Sequence, residues 1–311
     1  MHNCPFVKRS YDLMYFPNIP LQKLNAVETV LQVHMTGCQQ KRIRMRKYLD
    51  KENALFEEWQ NRIRENEPVA DFAPDGILYR GPIEFNDNGT GYKPRTVGNS
   101  AIQWDTAPKR LLILTKDLYD TDGGWDIRYD TGRVWDAGKF VVRTSRARFY
   151  SNLTLWSYAL LDASAGNPID EFDMTPSWDE LREFYETAPI ARVNCKKTVG
   201  ADTCPYDVLR KHLETYGDLL QRQIGMYDAD IILCCGGSDL IKDFVKKTYL
   251  PDLENVEETD WMYYSKSRNK LVVNSYHPSY PGCTYENMYE AMMREMRIFL
   301  ERFPEFTKPG R

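Results

Sequence analysis

The chain has 311 residues, 42% of them hydrophobic and 28% charged. This is ordinary globular usage with enough apolar material for a sizeable core, and it excludes a disordered polymer, a collagen-like fibre and a small disulfide scaffold. The 41 basic residues against 45 acidic ones leave a net charge of -4, and the pI is near 5.7. A uniformly basic nucleic-acid coat is therefore excluded, and any nucleic-acid site must be a local patch on an acidic body.

At roughly 150 residues per domain, the length suits about two domains, or one large α/β domain with an extension. The opening stretch, MHNCPFVKRSYDL, lacks the apolar core of a secretory leader. No window approaches about 18 consecutive apolar residues, so neither a membrane span nor a membrane partner is expected, and a cytoplasmic location follows. Seven cysteines without CxxC-like spacing read as reduced thiols, not as a metal cage. Cys234 and Cys235 sit in the apolar run IILCCGG and read as small buried hydrophobes.

Residues 1–20 carry aromatics and three prolines and predict an irregular segment. From Leu21 to about Glu65 the pattern is helical: Leu49, Phe56, Trp59 and Ile63 fall on one face. Within it, KRIRMRK at 41–47 is either a solvated face or a phosphate contact. Residues 66–109 are rich in Pro, Gly, Asn and Asp and predict loops with short strands, GILYRG and AIQW among them.

From Arg110 onward apolar strands alternate with helices. RLLILTKD is the first strand, followed by the Gly/Asp-rich loop DTDGGWDIRYDTGRVWDAG and a helix at about 146–163. PIARVNCKKT is the second strand, residues 205–228 an amphipathic helix, and ADIILCCGG the third strand. A short helix, SDLIKDFVKKTYL, leads to the fourth strand, KLVVNSYHPS. The last helix covers about 284–302, with a core stripe of Met288, Met292, Met296 and Phe299. The expected fold is therefore a three-layer α/β domain over 108–311 with a central, mainly parallel four-stranded sheet. A largely helical N-terminal extension over 1–107 precedes it.

In such sheets ligands bind outside the carboxyl ends of the strands. Those ends read Thr115-Lys116-Asp117-Leu118-Tyr119, Asn194-Cys195-Lys196-Lys197-Thr198, Gly236-Gly237-Ser238 and His277-Pro278-Ser279. An acid can orient a water and stabilise a neighbouring cation. An amide offers both a donor and an acceptor to the edge of a nucleobase. A histidine can donate to an oxyanion on a leaving group. Together they suit N-glycosidic bond hydrolysis. A turn histidine before a proline and ordinary polar strand ends are the plain structural alternative.

These motifs resemble the uracil-DNA glycosylase superfamily. LLILTKDLYD is similar to its first motif, an apolar strand followed by GQDPY-like residues, and YHPS at 276–279 is similar to its second. VNCKKT at 193–198 resembles the intervening base-reading strand, and ILCCGG the apolar strand and glycine before the second motif. The resemblance covers roughly residues 108–302. It implies Asp117 as the water-orienting acid, Tyr119 as the wall beside the base C5 position, Asn194 as the base-reading amide and His277 as the donor to pyrimidine O2. Ser279 would contact a phosphate, and Phe140 or Phe149 would stack on the base. No metal or organic cofactor is implied, and the target nucleotide would leave the helix stack before cleavage.

The sequence departs from the family at several positions. Thr115-Lys116 replaces GQ, Leu118 replaces the proline, and Tyr280-Pro281-Gly282 replaces the usual Pro-Leu, so that Tyr280 would fill the gap by stacking. Basic residues that DNA, duplex or single-stranded, would meet are Lys116, Lys196, Lys197, Arg143, Arg146 and Arg148; scattered surface charge is the alternative. The expected substrate is DNA with uracil or a modified pyrimidine, including a hypermodified cytosine of the kind met in antiviral defence. Two other classes stay open: a small-molecule nucleoside or nucleotide N-glycosidase, and a module that binds a modified base without cleaving it.

Overall fold

In a computed structural model, the residues described are 48–67, 70–78, 83–85, 92–94, 100–117, 126–129, 133–136, 139–142, 147–164, 171–199, 203–236 and 238–307. They belong to one unit, Met45–Arg311. The basic run at 41–47 lies outside them.

A helix over residues 48–66 (α1) comes first. The strands β1 (Gly76–Ile77), β2 (Ile83–Phe85) and β3 (Tyr92–Pro94) and the helix α2 (Ser100–Thr106) follow. Then come β4 (Leu111–Thr115), β5 (Arg133–Asp136), β6 (Lys139–Val142), α3 (Ala147–Asp162) and α4 (Trp178–Thr187). β7 (Ile190–Asn194), α5 (Tyr206–Tyr227), β8 (Ile231–Cys235) and α6 (Leu240–Thr248) continue the alternation. β9 (Glu254–Asn255), β10 (Met262–Ser265), β11 (Lys270–Ser275) and α7 (Tyr285–Arg302) complete it.

The sheet is mixed and has seven strands in the order β1-β7-β4-β8-β11-β10-β9, larger than the four strands expected. β7 and β8 flank β4 in parallel, and β11 pairs with β8 in parallel. β1, β10 and β9 add antiparallel edges. The extra strands are two to four residues long, too short to show a period in sequence. The segment AIQW is not a strand. It lies in α2, where Trp104 is buried and its indole N–H donates to the Tyr227 carbonyl at 3.2 Å.

β4 and β8 are apolar on both sides, and β7 is so apart from the buried Arg192 and Asn194, because helices cover both faces. One face packs Leu111, Ile113, Ile231 and Leu233 against α3, α4 and α7, including the methionine stripe of α7. The other packs Leu112, Leu114, Val193 and Ile232 against α1, α5 and α6. Cys234 and Cys235 alternate between these two cores. α4, missing from the sequence reading, opens with a capping box in which Ser177 and Glu180 satisfy each other's backbone N–H groups.

Residues 48–78 are built into this structure. α1 lies on α5, with Arg62 on Asp218 (2.6 Å) and Arg222 on Glu58 (2.7 Å), and β1 pairs with β7. Beneath them, Glu52 accepts from the Tyr227 hydroxyl (2.8 Å), the Ile77 N–H (3.1 Å) and Arg128 (3.0 Å). Burial lifts the Glu52 carboxyl to about 7, against the opposing pull of Arg128 and the two hydrogen bonds. A carboxyl raised on folding takes up its proton more readily in the folded state. Its contribution is complete below the unfolded pKa of about 4.5 and is lost as pH rises through about 7. Urea titrations at pH 5 and pH 8 should therefore show a smaller pH 5 advantage in Glu52→Gln than in the parent. Equal differences in the two proteins would refute this assignment.

Candidate active site

The chain runs from β4 to β7 on one side and returns to β8 on the other, so the strand order reverses between β4 and β8. The crevice outside the carboxyl ends at such a point is where open α/β sheets bind ligands. Three predicted residues lie at this edge. Asp117 follows β4 by two residues, Asn194 ends β7 opposite Thr115, and His277 follows β11 by two residues.

Asp117 is largely enclosed, and its Oδ2 is buried without a hydrogen-bond partner. The Lys196 ammonium stands 3.7 Å from that oxygen. Burial holds the Asp117 carboxyl above its ordinary value, while Lys196 and Lys116 pull it back. Cys204 borders the same carboxyl, and burial together with Asp117 pushes its thiol up to about 11. Lys196 also donates to the Thr198 carbonyl at 2.7 Å, and Lys116 donates to the Cys204 carbonyl at 3.2 Å. Two ammonium groups thus surround one carboxylate.

Asn194 is buried. The Thr115 hydroxyl donates to its Oδ1, and its Nδ2 is buried with no hydrogen-bond partner. Its backbone N–H donates to Asp75 Oδ2 at 2.7 Å. Asp75 is itself wholly buried and holds Lys197 Nζ at 2.5 Å and Gln223 Nε2 at 2.9 Å. The strand end that carries the amide is therefore tied to the segment before β1. Sequence reasoning missed Asp75, which reads there as one more turn residue in a Pro/Gly-rich stretch.

His277 Nδ1 accepts the Ser279 N–H at 3.2 Å, which leaves the ring proton of the neutral form on Nε2. Burial, with Lys116 nearby, lowers the imidazole to about 4, so it is neutral at physiological pH. The Phe149 ring lies 5.7 Å from the imidazole and also faces the Arg192 guanidinium at 5.5 Å. Gly236, with φ of +79°, follows β8 and lies against His277. A Cβ there would stand 2.6 Å from His277 Cβ and 2.9 Å from its Cα. Gly236→Ala is thus expected to cost about 1–3 kcal/mol in strain. Thermal unfolding should show a lowered Tm, and NMR titration a His277 pKa moved up toward its ordinary value. An unchanged Tm and titration would show that the close approach is dispensable.

The other predicted residues are dispersed. Lys197 is fully enclosed, paired with Asp75 and packed against the Trp59 ring at 5.0 Å. It is not at the surface, so the phosphate contact expected of it is replaced by a buried ion pair. Arg148 is exposed but already donates to the carbonyls of Tyr280 (3.2 Å) and Cys283 (2.8 Å), which pins the loop after His277. Ser279 and Tyr280 are exposed in that loop. Tyr119, Arg143 and Arg146 lie outside the described residues, as does the side chain of Phe140. Among the described residues, no cluster of three or more His, Cys, Asp or Glu groups could hold a metal ion. Nor is any helix among them long and apolar enough to cross a membrane. No protein-family model matches the chain, and a search of curated proteins finds no match.

Proposed function

We propose that this chain is a DNA glycosylase that hydrolyses the N-glycosidic bond of a flipped-out uracil or modified pyrimidine and leaves an abasic site. One observation carries the proposal. Two buried polar atoms at the same strand edge, Asn194 Nδ2 and Asp117 Oδ2, lack hydrogen-bond partners. Buried polar groups are normally paired within a protein, so such a pair suits a ligand that completes it. An open N–H calls for an acceptor on a base, and a carboxylate oxygen that meets the Lys196 ammonium only at 3.7 Å suits a water or a developing cation.

In this mechanism the bond from the sugar C1′ to the base nitrogen breaks, and its electron pair leaves with the base. Asp117 faces the oxocarbenium-like sugar, orients a water toward C1′ and takes the proton that the water gives up. His277, neutral with its proton on Nε2, donates to the O2 of the departing base anion. Lys116 and Lys196 add positive charge to the same edge. Thr115 donates to one lone pair of Asn194 Oδ1 and the Nδ2 is unpartnered, so the N–H is the group the amide offers most freely. That suits the O4 of uracil or a modified uracil better than the amino group of a cytosine.

The test is strand breakage after alkali treatment. Its substrates are uracil-containing duplex, uracil-containing single strand and phage DNA with modified cytosines. Breakage that disappears in Asp117→Asn is the expected result, and uracil substrates are expected to respond before cytosine ones. No breakage on any substrate by well-folded protein would overturn the proposal. Turnover of free nucleosides insensitive to salt would point instead to a small-molecule N-glycosidase.

A further inference from the structure

The loop after His277 carries a second feature. The rings of Tyr276 and Tyr280 stack face to face, with centroids 4.7 Å apart and planes 16° from parallel. They remain 48% and 39% exposed, among the few large hydrophobic residues so exposed among the described residues. Trp261 supports Tyr276 edge-on at 5.7 Å.

The loop that holds this pair is fixed at several points. Arg148 grips the carbonyls of Tyr280 and Cys283, Asn152 donates to the Pro278 carbonyl at 2.6 Å, and the Tyr280 N–H donates to the His277 carbonyl at 2.8 Å. Gly282 leaves room for the Tyr280 phenol, since a Cβ there would stand 2.4 Å from its hydroxyl oxygen. An exposed aromatic pair would ordinarily be free to sample rotamers. Here the backbone that carries the pair is tied down, and Tyr280 stands three residues from the proposed base donor.

We infer that the Tyr276–Tyr280 pair is a stacking platform for an unpaired base of single-stranded DNA next to the target nucleotide. The inference rests on the glycosylase reading for the chemistry beside it, and it adds the strand preference. Every base has a π-face, so a fixed ring takes any base that can reach it. In a duplex both faces of each base are already covered by neighbours, and bringing one onto the platform costs unstacking energy. A single strand offers its bases at much lower cost. The pair is already stacked on itself, which makes it a ledge against which a base lies and not a wedge that enters a helix. The Arg148 guanidinium beside it adds positive charge for the phosphates of the same strand.

Base–aromatic stacking is worth about 1–3 kcal/mol per base, which corresponds to about 5- to 150-fold in affinity. The probes are a fluorescein-labelled oligothymidylate single strand and its duplex with oligoadenylate, neither of which contains an excisable base. Tyr280→Ala should weaken single-strand binding by that factor and leave duplex binding unchanged, while Tyr280→Phe should bind as the parent does. Equal weakening on both probes, no weakening on either, or failure of the phenylalanine to restore binding would each overturn the platform. Excision from uracil-containing duplex, measured in parallel, reports on the glycosylase reading separately. Excision with Tyr280→Ala indifferent on single strands removes the platform alone. A parent protein that binds neither probe and excises nothing removes both.

Discussion

Replacing Lys197 by methionine is expected to cost about 3–5 kcal/mol of folding stability, because it leaves the Asp75 carboxylate buried without its counter-charge. Both side chains are completely enclosed, with Lys197 Nζ on both oxygens of Asp75. The remaining donors, Gln223 Nε2 and the Asn194 N–H, are neutral and compensate only part of the charge. Methionine should still make thioether contacts with the Trp59 and Phe56 rings that the lysine ammonium now faces. The loss is therefore electrostatic, not steric. Urea unfolding of Lys197→Met, Asp75→Asn and the double variant separates the two. The double variant should recover part of the loss, since it removes the stranded charge. If Lys197→Met costs less than about 1 kcal/mol, as an exposed pair would, or if the double variant is the least stable of the three, this assignment fails.

For catalysis, Asp117→Asn should lower turnover by about 10²- to 10⁴-fold, the usual range for loss of a positioned acid–base group. The fold should persist. Asp117 Oδ2 has no hydrogen bond to lose, and Lys196 keeps its bond to the Thr198 carbonyl. Burial already disfavours the charged form of this carboxyl, while a neutral amide leaves Lys196 without its counter-charge, so the two effects oppose each other and Tm should change little. The pH profile supplies a second check. Since the folded Asp117 carboxyl lies above its ordinary value, the acid limb of kcat/KM should fall at a pH higher than an unperturbed aspartate would give. His277 stays neutral down to about 4 and should leave the neutral range flat. Retention of parental turnover by Asp117→Asn would end the mechanism.

The positions that carry the candidate chemistry were legible in the sequence because buried parallel strands are short apolar runs with polar ends. LLILT, IARVN, IILCC and KLVVNS are such runs, and the residues that follow them line one edge once the strands lie parallel. Amphipathic periods placed α3, α5 and α7 within a residue or two of their observed bounds. α4 was equally signalled by Ser177 and Glu180, a capping box overlooked in a polar stretch. AIQW offered no such guide, since four mixed residues carry neither a helical nor a strand period.

What the sequence determined by itself is the set of apolar segments, their order and the polar residues at their ends, all of which follow from local periodicity. What only the tertiary structure decided is which partner each polar group meets. Lys196 and Lys197 are adjacent and look alike in sequence, yet one stands by Asp117 and the other is sealed against Asp75, 122 residues away. Asn194 loses one side of its amide to Thr115, 79 residues distant, and Arg148 is drawn to a loop more than a hundred residues on. Ion pairs and hydrogen bonds act over a few ångströms in space and leave no period along the chain. The choice between a surface cation, a buried pair and an open donor is therefore made only when the sheet and its helices close.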